Sequence, residues 1–474
     1  MNDAWPNVLL LMVDQMRADC LGIAGHPIIQ TPHLDHLAAT GTRFECAYSA
    51  CPICIPARRT LMTGRSAAAH GVLCNRHVPL LHPTLPQAFA DAGYQTHLVG
   101  KLHLHPLRKR YGFHSADWSD SPRSTNDDDY QRFLQRHAAD AQFISDAHGV
   151  GNNSWIARPW PLDNRLHFSH WCAESAINYL ERRDPTLPFF LNVSFYHPHQ
   201  PLTPPREHFE YYLRQPLPPP IDAAWSRVFD GPQHGLDTES WRVCLDENTM
   251  HQMRAAYYAL ITDIDDQIGR LLQRIPPDTW IVFVSDHGEM LGDHQWIRKR
   301  NALEGSARVP LIIRPPASES AYPCGQLRRE PVELMDLMPT LLDAIGRTPP
   351  NTIEGRSLLS LMTGTSGWRK WLHGECCNVP TLNSGMQFLT DGKYKYIWYP
   401  GRGEEQFFDL DNDPDETTNL ALSASDRDLS LWRERLVQRL VDRPEGFTDG
   451  RSLLRLDGPT PGVIEPQTTC EDQG

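Results

Sequence analysis

The chain has 474 residues, 40% of them hydrophobic, enough for one large domain that carries a smaller one. Its 58 acidic residues outnumber its 45 basic residues and give a net charge of -13, which argues against a nucleic-acid binder held by phosphate contacts. The 11 cysteines are odd in number and lack the spacing of a disulfide framework. This usage predicts reduced thiols and a cytoplasmic location.

The chain begins MNDAWPNVLLLMVDQ, a segment with one short apolar run. The segment lacks the basic region and the small-residue cleavage site of a signal peptide, and the run ends at Asp14. No other stretch is apolar enough to span a bilayer, so we expect neither export nor a membrane partner. Residues 7–13 instead predict a buried strand that ends in a carboxylate.

Apolar runs alternate with amphipathic segments over the first two thirds of the chain. Three further strands are predicted at residues 95–99, 189–194 and 280–285, and helices are predicted at residues 32–40, 85–92, 168–182 and 251–274. This alternation predicts an α/β fold with a large, mostly parallel sheet flanked by helices.

Polar residues follow each of the four predicted strands. They are Asp14, Lys101, His199 and Asp286. Each alone is an ordinary loop residue. Because ligands of such sheets bind beyond the carboxyl ends of the strands, we expect the four to converge on one functional edge.

The pattern changes after about residue 365. Short alternating segments at residues 385–390, 394–399 and 406–410 predict a small antiparallel sheet, and residues 426–441 predict a helix. We therefore divide the chain into a large α/β domain at residues 1–365, a small C-terminal subdomain at residues 366–445 and a tail at residues 446–474. The polar, proline-punctuated tail is predicted to be an arm or disordered.

The stretch CPICIPARRTLMTGR, at residues 51–65, has three interpretations. A CxxC pair at the start of a helix is compatible with redox chemistry, but it leaves Arg58 unexplained. A zinc site needs further ligands, and no second pair follows at ligand spacing. The third interpretation takes CIPAR, from Cys54 to Arg58, as the functional unit. A cysteine at such a loop-to-helix boundary is expected to be partly exposed, with little packing role.

This unit resembles the signature of the sulfatase family, whose cysteine is converted to formylglycine. Four further segments resemble family motifs in family order: GKLH at residues 100–103, PHQP at 198–201, SDHG at 285–288 and KRNALEGSAR at 299–308. The resemblance implies an alkaline-phosphatase-like fold and a sulfuric ester hydrolase that releases an alcohol and inorganic sulfate. A hydrated aldehyde suits this reaction because one hydroxyl attacks and the other later expels the sulfate.

The resemblance also implies one divalent metal ion. Its ligands would be Asp14, residue 54 in modified form, Asp286 and His287. Calcium is the first expectation from oxygen-rich ligands, with manganese or magnesium as alternatives. Gln15 stands where many sulfatases have a second aspartate, and His287 where many have asparagine. The Asp-His pair is similar to that of choline sulfatases and phosphonate monoester hydrolases, and its nitrogen favours manganese.

The resemblance also implies roles for the other residues that match the family's motifs. In the family the arginine corresponding to Arg58 steadies the hydrated aldehyde, and Lys101 and Lys299 would offset charge on the sulfuryl group. His199 would protonate the leaving oxygen, and His103 would accept a proton during sulfate release. Asn75 is a candidate substrate contact, whereas His70 is interpreted as structural.

Two alternatives stay open at this point. One is a phosphonate monoester or phosphodiester hydrolase of the same superfamily, although the intact GKLH motif favours sulfate. The other is a metal- or anion-binding protein that never receives formylglycine. Carbohydrate, aryl and alkyl sulfate esters are all compatible, and the pocket rim is predicted from residues 117–160 and 201–244. The expected protein partner is the maturation enzyme that generates formylglycine, and a homo-oligomer is an open option.

Overall fold

A computed structural model describes residues 5–121, 128–138, 148–232, 237–364, 367–377, 384–423 and 426–464. In chain order its strands are β1 (Asn7–Asp14), β2 (Thr42–Phe44), β3 (Ala47–Tyr48), β4 (Gln95–Gly100), β5 (Ser115–Trp118), β6 (Phe189–Pro198), β7 (Thr279–Ser285), β8 (Leu311–Arg314), β9 (Gln326–Arg328), β10 (Val332–Glu333), β11 (Leu372–Cys376), β12 (Met386–Thr390), β13 (Tyr394–Tyr399) and β14 (Glu404–Asp409). The helices are α1 (Pro32–Ala39), α2 (Cys54–Thr63), α3 (Ala67–His70), α4 (Leu85–Asp91), α5 (Asp129–His137), α6 (Phe168–Arg182), α7 (Arg206–Leu213), α8 (Glu247–Leu272), α9 (Glu304–Ala307), α10 (Leu337–Asp343), α11 (Leu359–Met362) and α12 (Asp426–Leu440).

A large sheet of eight strands forms the centre of the fold, in the order β5-β4-β6-β1-β7-β8-β2-β9. Strand β1 lies in the middle and pairs in parallel with β6 on one side and β7 on the other. Only β8 runs antiparallel to its neighbours in this sheet as described. The predicted mostly parallel α/β sheet is therefore confirmed.

Helices cover both faces of this sheet, which explains why its central strands are continuously apolar. Leu9 and Leu11 of β1 pack with α1, α6 and α8, whereas Val8 and Leu10 face the opposite core with α2, α4 and α10. Helix α8 begins four residues before the predicted start. The reason is local: the Asp246 side chain accepts a hydrogen bond from the Thr249 backbone N–H, and this cap precedes the apolar pattern.

The C-terminal part forms the predicted small antiparallel sheet, with strands in the order β11-β12-β13-β14. Helix α12 packs on one face of it through Trp432 and Leu436. The other face packs on the large sheet domain, where buried Lys395 donates to Glu304 at 2.7 Å and to Glu416 at 2.9 Å. These ion pairs and the apolar contacts fix the small sheet against the loops that follow the central strands.

The described part of the predicted tail is not a free arm. Leu73 N donates to Gly462 O at 2.9 Å, and Ile464 N donates to Gly71 O at 2.8 Å. Backbone pairing therefore ties this segment to the loop after α3, which the polar composition did not indicate. Residues 465–474 of the tail and residues 122–127, 139–147 and 233–236 of the predicted rim lie outside the described residues. Within the described part of the chain, no helix has the length and apolarity needed to cross a membrane.

Candidate active site

The polar residues that follow the central strands meet at one edge of the sheet. Asp14 ends β1, Lys101 follows β4, His199 follows β6, and Asp286 with His287 follows β7. All five side chains are buried. Because these strands are parallel neighbours, their carboxyl ends adjoin, and Lys101 Nζ lies 2.5 Å from Asp14 Oδ2.

Cys54 enters this cluster from the first position of α2. Its Sγ lies 3.1 Å from His287 Nε2 and 3.9 Å from Asp14 Oδ1. The expected partial exposure is wrong: Cys54 is only 2% exposed, because the strand ends and the loops after them enclose the start of the helix. The thiol therefore sits within the polar cluster rather than at its entrance.

Four side chains form a candidate metal site. One donor atom from each of Asp14, Cys54, Asp286 and His287 lies within 4.8 Å of the other three. His287 Nδ1 lies 3.0 Å from the carbonyl of Gly288, so it carries the proton and leaves Nε2 as a lone-pair donor toward the cluster. If Cys54 is modified, its Sγ marks where a hydroxyl oxygen of the hydrated aldehyde would stand. Two carboxylates, one such oxygen and one imidazole fit a divalent cation.

Arg58 lies one helical turn after Cys54 and organises the carboxylates of this site. Its Nε donates to Asp286 Oδ2 at 2.8 Å, and its Nη2 donates to Asp14 Oδ2 at 3.2 Å. Its Nη1 donates to the Lys101 carbonyl at 2.8 Å and to Ser194 Oγ at 3.0 Å. The described hydrogen bonds of this buried guanidinium thus go to the strand ends rather than to Cys54.

The surrounding cations make the site strongly favourable for negative charge. Burial alone would raise the pKa of the Cys54 thiol, but Lys299, Lys101 and His287 outweigh it and hold that pKa well below its usual value. Burial and the neighbouring Cys54 would also raise the pKa of Asp14. Lys101 is the largest of the opposing charges, which together keep the Asp14 pKa far below its usual range.

The two candidate acid-base histidines are both at the site. His199 Nδ1 lies 2.7 Å from the carbonyl of Gln200, which leaves its Nε2 toward the cleft, and its backbone N donates to the Asp14 carbonyl at 3.2 Å. His103 adopts a left-handed conformation with φ of 55°, and its N–H donates to Asp120 Oδ1 at 2.8 Å. Both imidazoles line the same cleft as Cys54.

The remaining predicted residues divide into cleft and core. Asn75 lines the cleft, and its Oδ1 accepts the Ile55 N–H at 3.0 Å, which leaves its amide N–H₂ available. Lys299 also lines the cleft. His70 does not: it is 5% exposed and lies 3.1 Å from Thr60 Oγ1, as a structural residue would.

Gln15 is a site residue that the sequence interpretation treated only as a departure from the family pattern. Its Oε1 accepts a 2.5 Å hydrogen bond from Lys299 Nζ, and its Nε2 donates to Gln200 and Glu289. Its left-handed backbone, with φ of 72°, was not visible in the sequence. Tyr196 was also missed. Its ring lies 4.6 Å from Lys101 Nζ and contacts His199.

A cleft of about 430 Å³ leads from Cys54 to the surface. Its outer part is lined by residues from both predicted rim segments: Asp120, Ser121, Asn152, Asn153 and Trp241. The prediction of the rim therefore agrees with the described residues. Arg298 and Arg300 complete the mouth of the cleft beside Trp241.

Known proteins share this fold. The crystal structure of a phosphonate monoester hydrolase of Agrobacterium radiobacter superposes with a TM-score of 0.78 at 25% identity, over 95% of this chain and 100% of that one. The protein is accordingly a hydrolase of the alkaline-phosphatase-like superfamily.

Sequence comparison narrows this class. A family model described as Sulfatase matches residues 6–347, and one described as N-sulphoglucosamine sulphohydrolase, C-terminal, matches residues 292–443. An arylsulfatase of Clostridium perfringens is 39% identical and covers 95% of this chain and 97% of its own length. A choline-sulfatase of Rhizobium meliloti is 30% identical, with coverage of 88% and 82%. The chain belongs to the sulfatase family, and it is a sulfuric ester hydrolase.

Proposed function

We propose that this sulfatase cleaves sulfate esters with a formylglycine made from Cys54, assisted by one divalent metal ion. The observation that carries the proposal is the placement of Cys54 at the start of α2, against His287 and Asp14 and within the cleft that Lys101 and Lys299 line. The redox alternative lacks support, because Cys51 is a buried free thiol in an apolar cluster with its Sγ 3.8 Å from the Leu73 carbonyl.

The lysines bind the substrate first. Lys101 and Lys299 border the space next to residue 54, where a sulfuryl group would place its oxygens. Their charges attract the ester and stabilise the negative charge that builds up on those oxygens as residue 54 attacks sulfur through a hydroxyl. The amide N–H₂ of Asn75 is positioned to donate to the same group, because its oxygen is already used by α2.

His199 serves the leaving group. Burial and the charge of Lys299 lower the pKa of His199 to about 4, so the imidazole is neutral at pH 7. A bound sulfate ester brings a negative charge beside it, which opposes Lys299 and favours the protonated imidazole. His199 then donates a proton from Nε2 to the departing alcohol oxygen.

His103 serves the second half of the reaction. It lines the cleft two residues after Lys101. Its left-handed backbone is held by Asp120, which accepts hydrogen bonds from the backbone N–H groups of residues 102 and 103. From there it accepts the proton of the second hydroxyl of residue 54, which lets the sulfate leave by carbon–oxygen cleavage. The aldehyde is then ready for rehydration.

Asp14, residue 54, Asp286 and His287 would hold the metal ion, which would supply positive charge beside the nucleophile when bound. Calcium was the first expectation from the sequence. The imidazole nitrogen of His287 supports manganese as the competing assignment, and magnesium remains a third. Arg58 holds Asp14 and Asp286 in place by donating to one oxygen of each, which leaves the other oxygen of each carboxylate toward the site.

Phosphonate monoester hydrolysis is the second candidate function. Gln15 and His287 favour it, because an aspartate followed by glutamine and an Asp-His pair both depart from the common sulfatase pattern. The superposition with the Agrobacterium enzyme, at a TM-score of 0.78, also supports it. Lys101 and His103 favour sulfate. A panel of sulfate esters and phosphonate monoesters, assayed with enzyme whose Cys54 conversion is verified by mass, separates the two. Greater kcat/KM on phosphonates would reverse the order.

Three further expectations accompany this function. The chain requires a maturation enzyme as a partner, because formylglycine is made from the cysteine after translation. The ten described cysteines are free thiols, which supports the predicted cytoplasmic location. A homo-oligomer remains open, and sedimentation analysis decides it.

A further inference from the structure

The outer half of the cleft carries positive charge that the sulfuryl chemistry does not use. Among the described residues that line the whole cleft, Lys101, Arg298, Lys299 and Arg300 are cationic, and Asp120 is the only acidic one. Both lysines belong to the inner site. Arg298 is engaged elsewhere, because its Nη2 donates to the Glu239 carbonyl and its guanidinium lies 3.7 Å from the centre of the Trp241 ring.

Arg300 is different from these three. It is half-buried, and within the described part of the chain its guanidinium makes no side-chain hydrogen bond or ion pair. Its one described partner is the ring of Trp241, 5.4 Å away. Its backbone adopts a left-handed conformation with φ of 78° and donates to the Pro52 carbonyl at 3.3 Å, so the α2 loop holds it. Such a conformation is unfavourable for a residue with a side chain and is retained where the surroundings impose it.

Arg300 also stands where two cavities meet. A second cavity of about 540 Å³ adjoins the active-site cleft, and Asn75 and Arg300 line both. Arg76 lines the second cavity, is exposed, and its guanidinium likewise has no partner among the described residues. The far wall is the segment at residues 459–463 that packs against the loop after α3.

We infer that Arg300 and Arg76 form a subsite for a second anionic group, so that the substrates are sulfate esters whose alcohol part carries a carboxylate or a further sulfate. A guanidinium in a partly desolvated cleft with no acidic partner suits an oxyanion, which it binds through paired N–H donors. The ring of Trp241 lies beside both arginines and lines the cleft, where it offers apolar surface to a sugar or aryl ring between the two anions. A cationic alcohol such as choline meets repulsion in the same place. This inference rests on the proposed function.

Two matched substrate pairs test the subsite. The first pair is 4-sulfooxybenzoate and 4-sulfooxybenzamide, and the second is a uronate-containing disaccharide sulfate and the same compound with its carboxylate reduced to an alcohol. Arg300→Gln should lower kcat/KM for the charged member of at least one pair by about 10- to 100-fold, mainly through KM, as expected for loss of a charge-assisted hydrogen bond. The neutral member should change less than threefold. Arg76→Gln should act in the same direction with a smaller effect.

Arg347→Gln is the matched control, since Arg347 stacks on Trp5 at 4.6 Å on a surface remote from the cleft. It should leave both members of each pair unchanged, and Arg300→Lys should restore part of the lost selectivity. Equal effects of Arg300→Gln on charged and neutral members of both pairs would overturn the subsite while leaving sulfate ester hydrolysis intact. If wild-type enzyme with verified formylglycine turned over none of these sulfate esters, the proposed function would be refuted, and the subsite with it.

Discussion

The amide oxygen of Gln15 accepts a 2.5 Å hydrogen bond from the ammonium group of Lys299, across 284 positions of the chain. An amide oxygen orients the lysine without cancelling its charge, whereas a carboxylate would form an ion pair with it. The glutamine at this position therefore keeps a full positive charge for the sulfuryl group. It also connects the lysine to Gln200, the residue after His199.

Gln15→Glu should weaken substrate binding because the new carboxylate neutralises Lys299 and repels the ester. We expect KM to rise by about tenfold or more, the effect of losing one charge-assisted contact. Steady-state kinetics on an aryl sulfate measures this. Gln273→Glu, at an exposed glutamine just after α8, makes the same charge change far from the cleft and should have no effect. An unchanged KM in Gln15→Glu would refute this role for the glutamine.

Cys54→Ala should abolish turnover because it removes the precursor of the nucleophile. Cys51→Ser should be mild by comparison, since Cys51 only packs beside Leu73. Intact-mass analysis of the peptide that contains residue 54 accompanies the assay, because conversion to formylglycine lowers its mass and an unmodified thiol does not. Full activity with an unmodified thiol would exclude the formylglycine mechanism, and equal damage from both substitutions would return support to a redox pair.

Chelation should remove activity, and adding back one divalent metal should restore it. Asp286→Asn should reduce metal content while keeping an oxygen that accepts from Arg58 Nε. Asp286→Ala should in addition destabilise the fold by about 1–3 kcal/mol, because it leaves a buried guanidinium N–H without an acceptor. Elemental analysis and thermal unfolding distinguish the two effects. Fully active enzyme that contains no divalent metal would contradict the metal site.

His199→Ala should slow alkyl sulfates far more than activated aryl sulfates, since a good leaving group needs little proton assistance. Proton transfer of this kind contributes about 10²- to 10⁴-fold, which sets the expected loss for alkyl esters. The ratio of kcat/KM on the two ester types is the measurement. Losses of the same size on both would show that His199 does not protonate the leaving group.

His103→Ala should retain a burst of alcohol release but lose steady-state turnover, because the sulfated intermediate persists when no base removes the proton of the second hydroxyl. Rapid-mixing measurement of the alcohol, with enzyme of known formylglycine content, gives the amplitude of the burst. An amplitude near one alcohol per modified site is expected. If the burst and the steady-state turnover were both lost, His103 would act in the first half of the reaction instead.

Local pattern was enough to predict most of the scaffold. The apolar runs predicted β1, β4 and β7 to within one residue, because strands buried on both faces of a parallel sheet are continuously apolar. They predicted the start of β6, but this strand continues four residues beyond the predicted end. The helical periodicity predicted α6 to the residue. The rule that ligands bind at strand ends then predicted that Asp14, Lys101, His199 and Asp286 would meet. The motifs around Cys54 and His103 indicated the family and its chemistry.

Tertiary structure alone decided how those residues are used. Burial of Cys54, the hydrogen bonds of Arg58 to carboxylates 44 and 228 positions away, and the contact of Gln15 with Lys299 have no local signature. The backbone hydrogen bond between Leu73 and Gly462 was likewise missed, because a polar, proline-rich segment has no periodicity from which its packing partner could be predicted. Each of these contacts depends on the register and crossing of elements far apart in the chain. Sequence periodicity specifies which face of an element is buried, and the packed fold determines what that face meets.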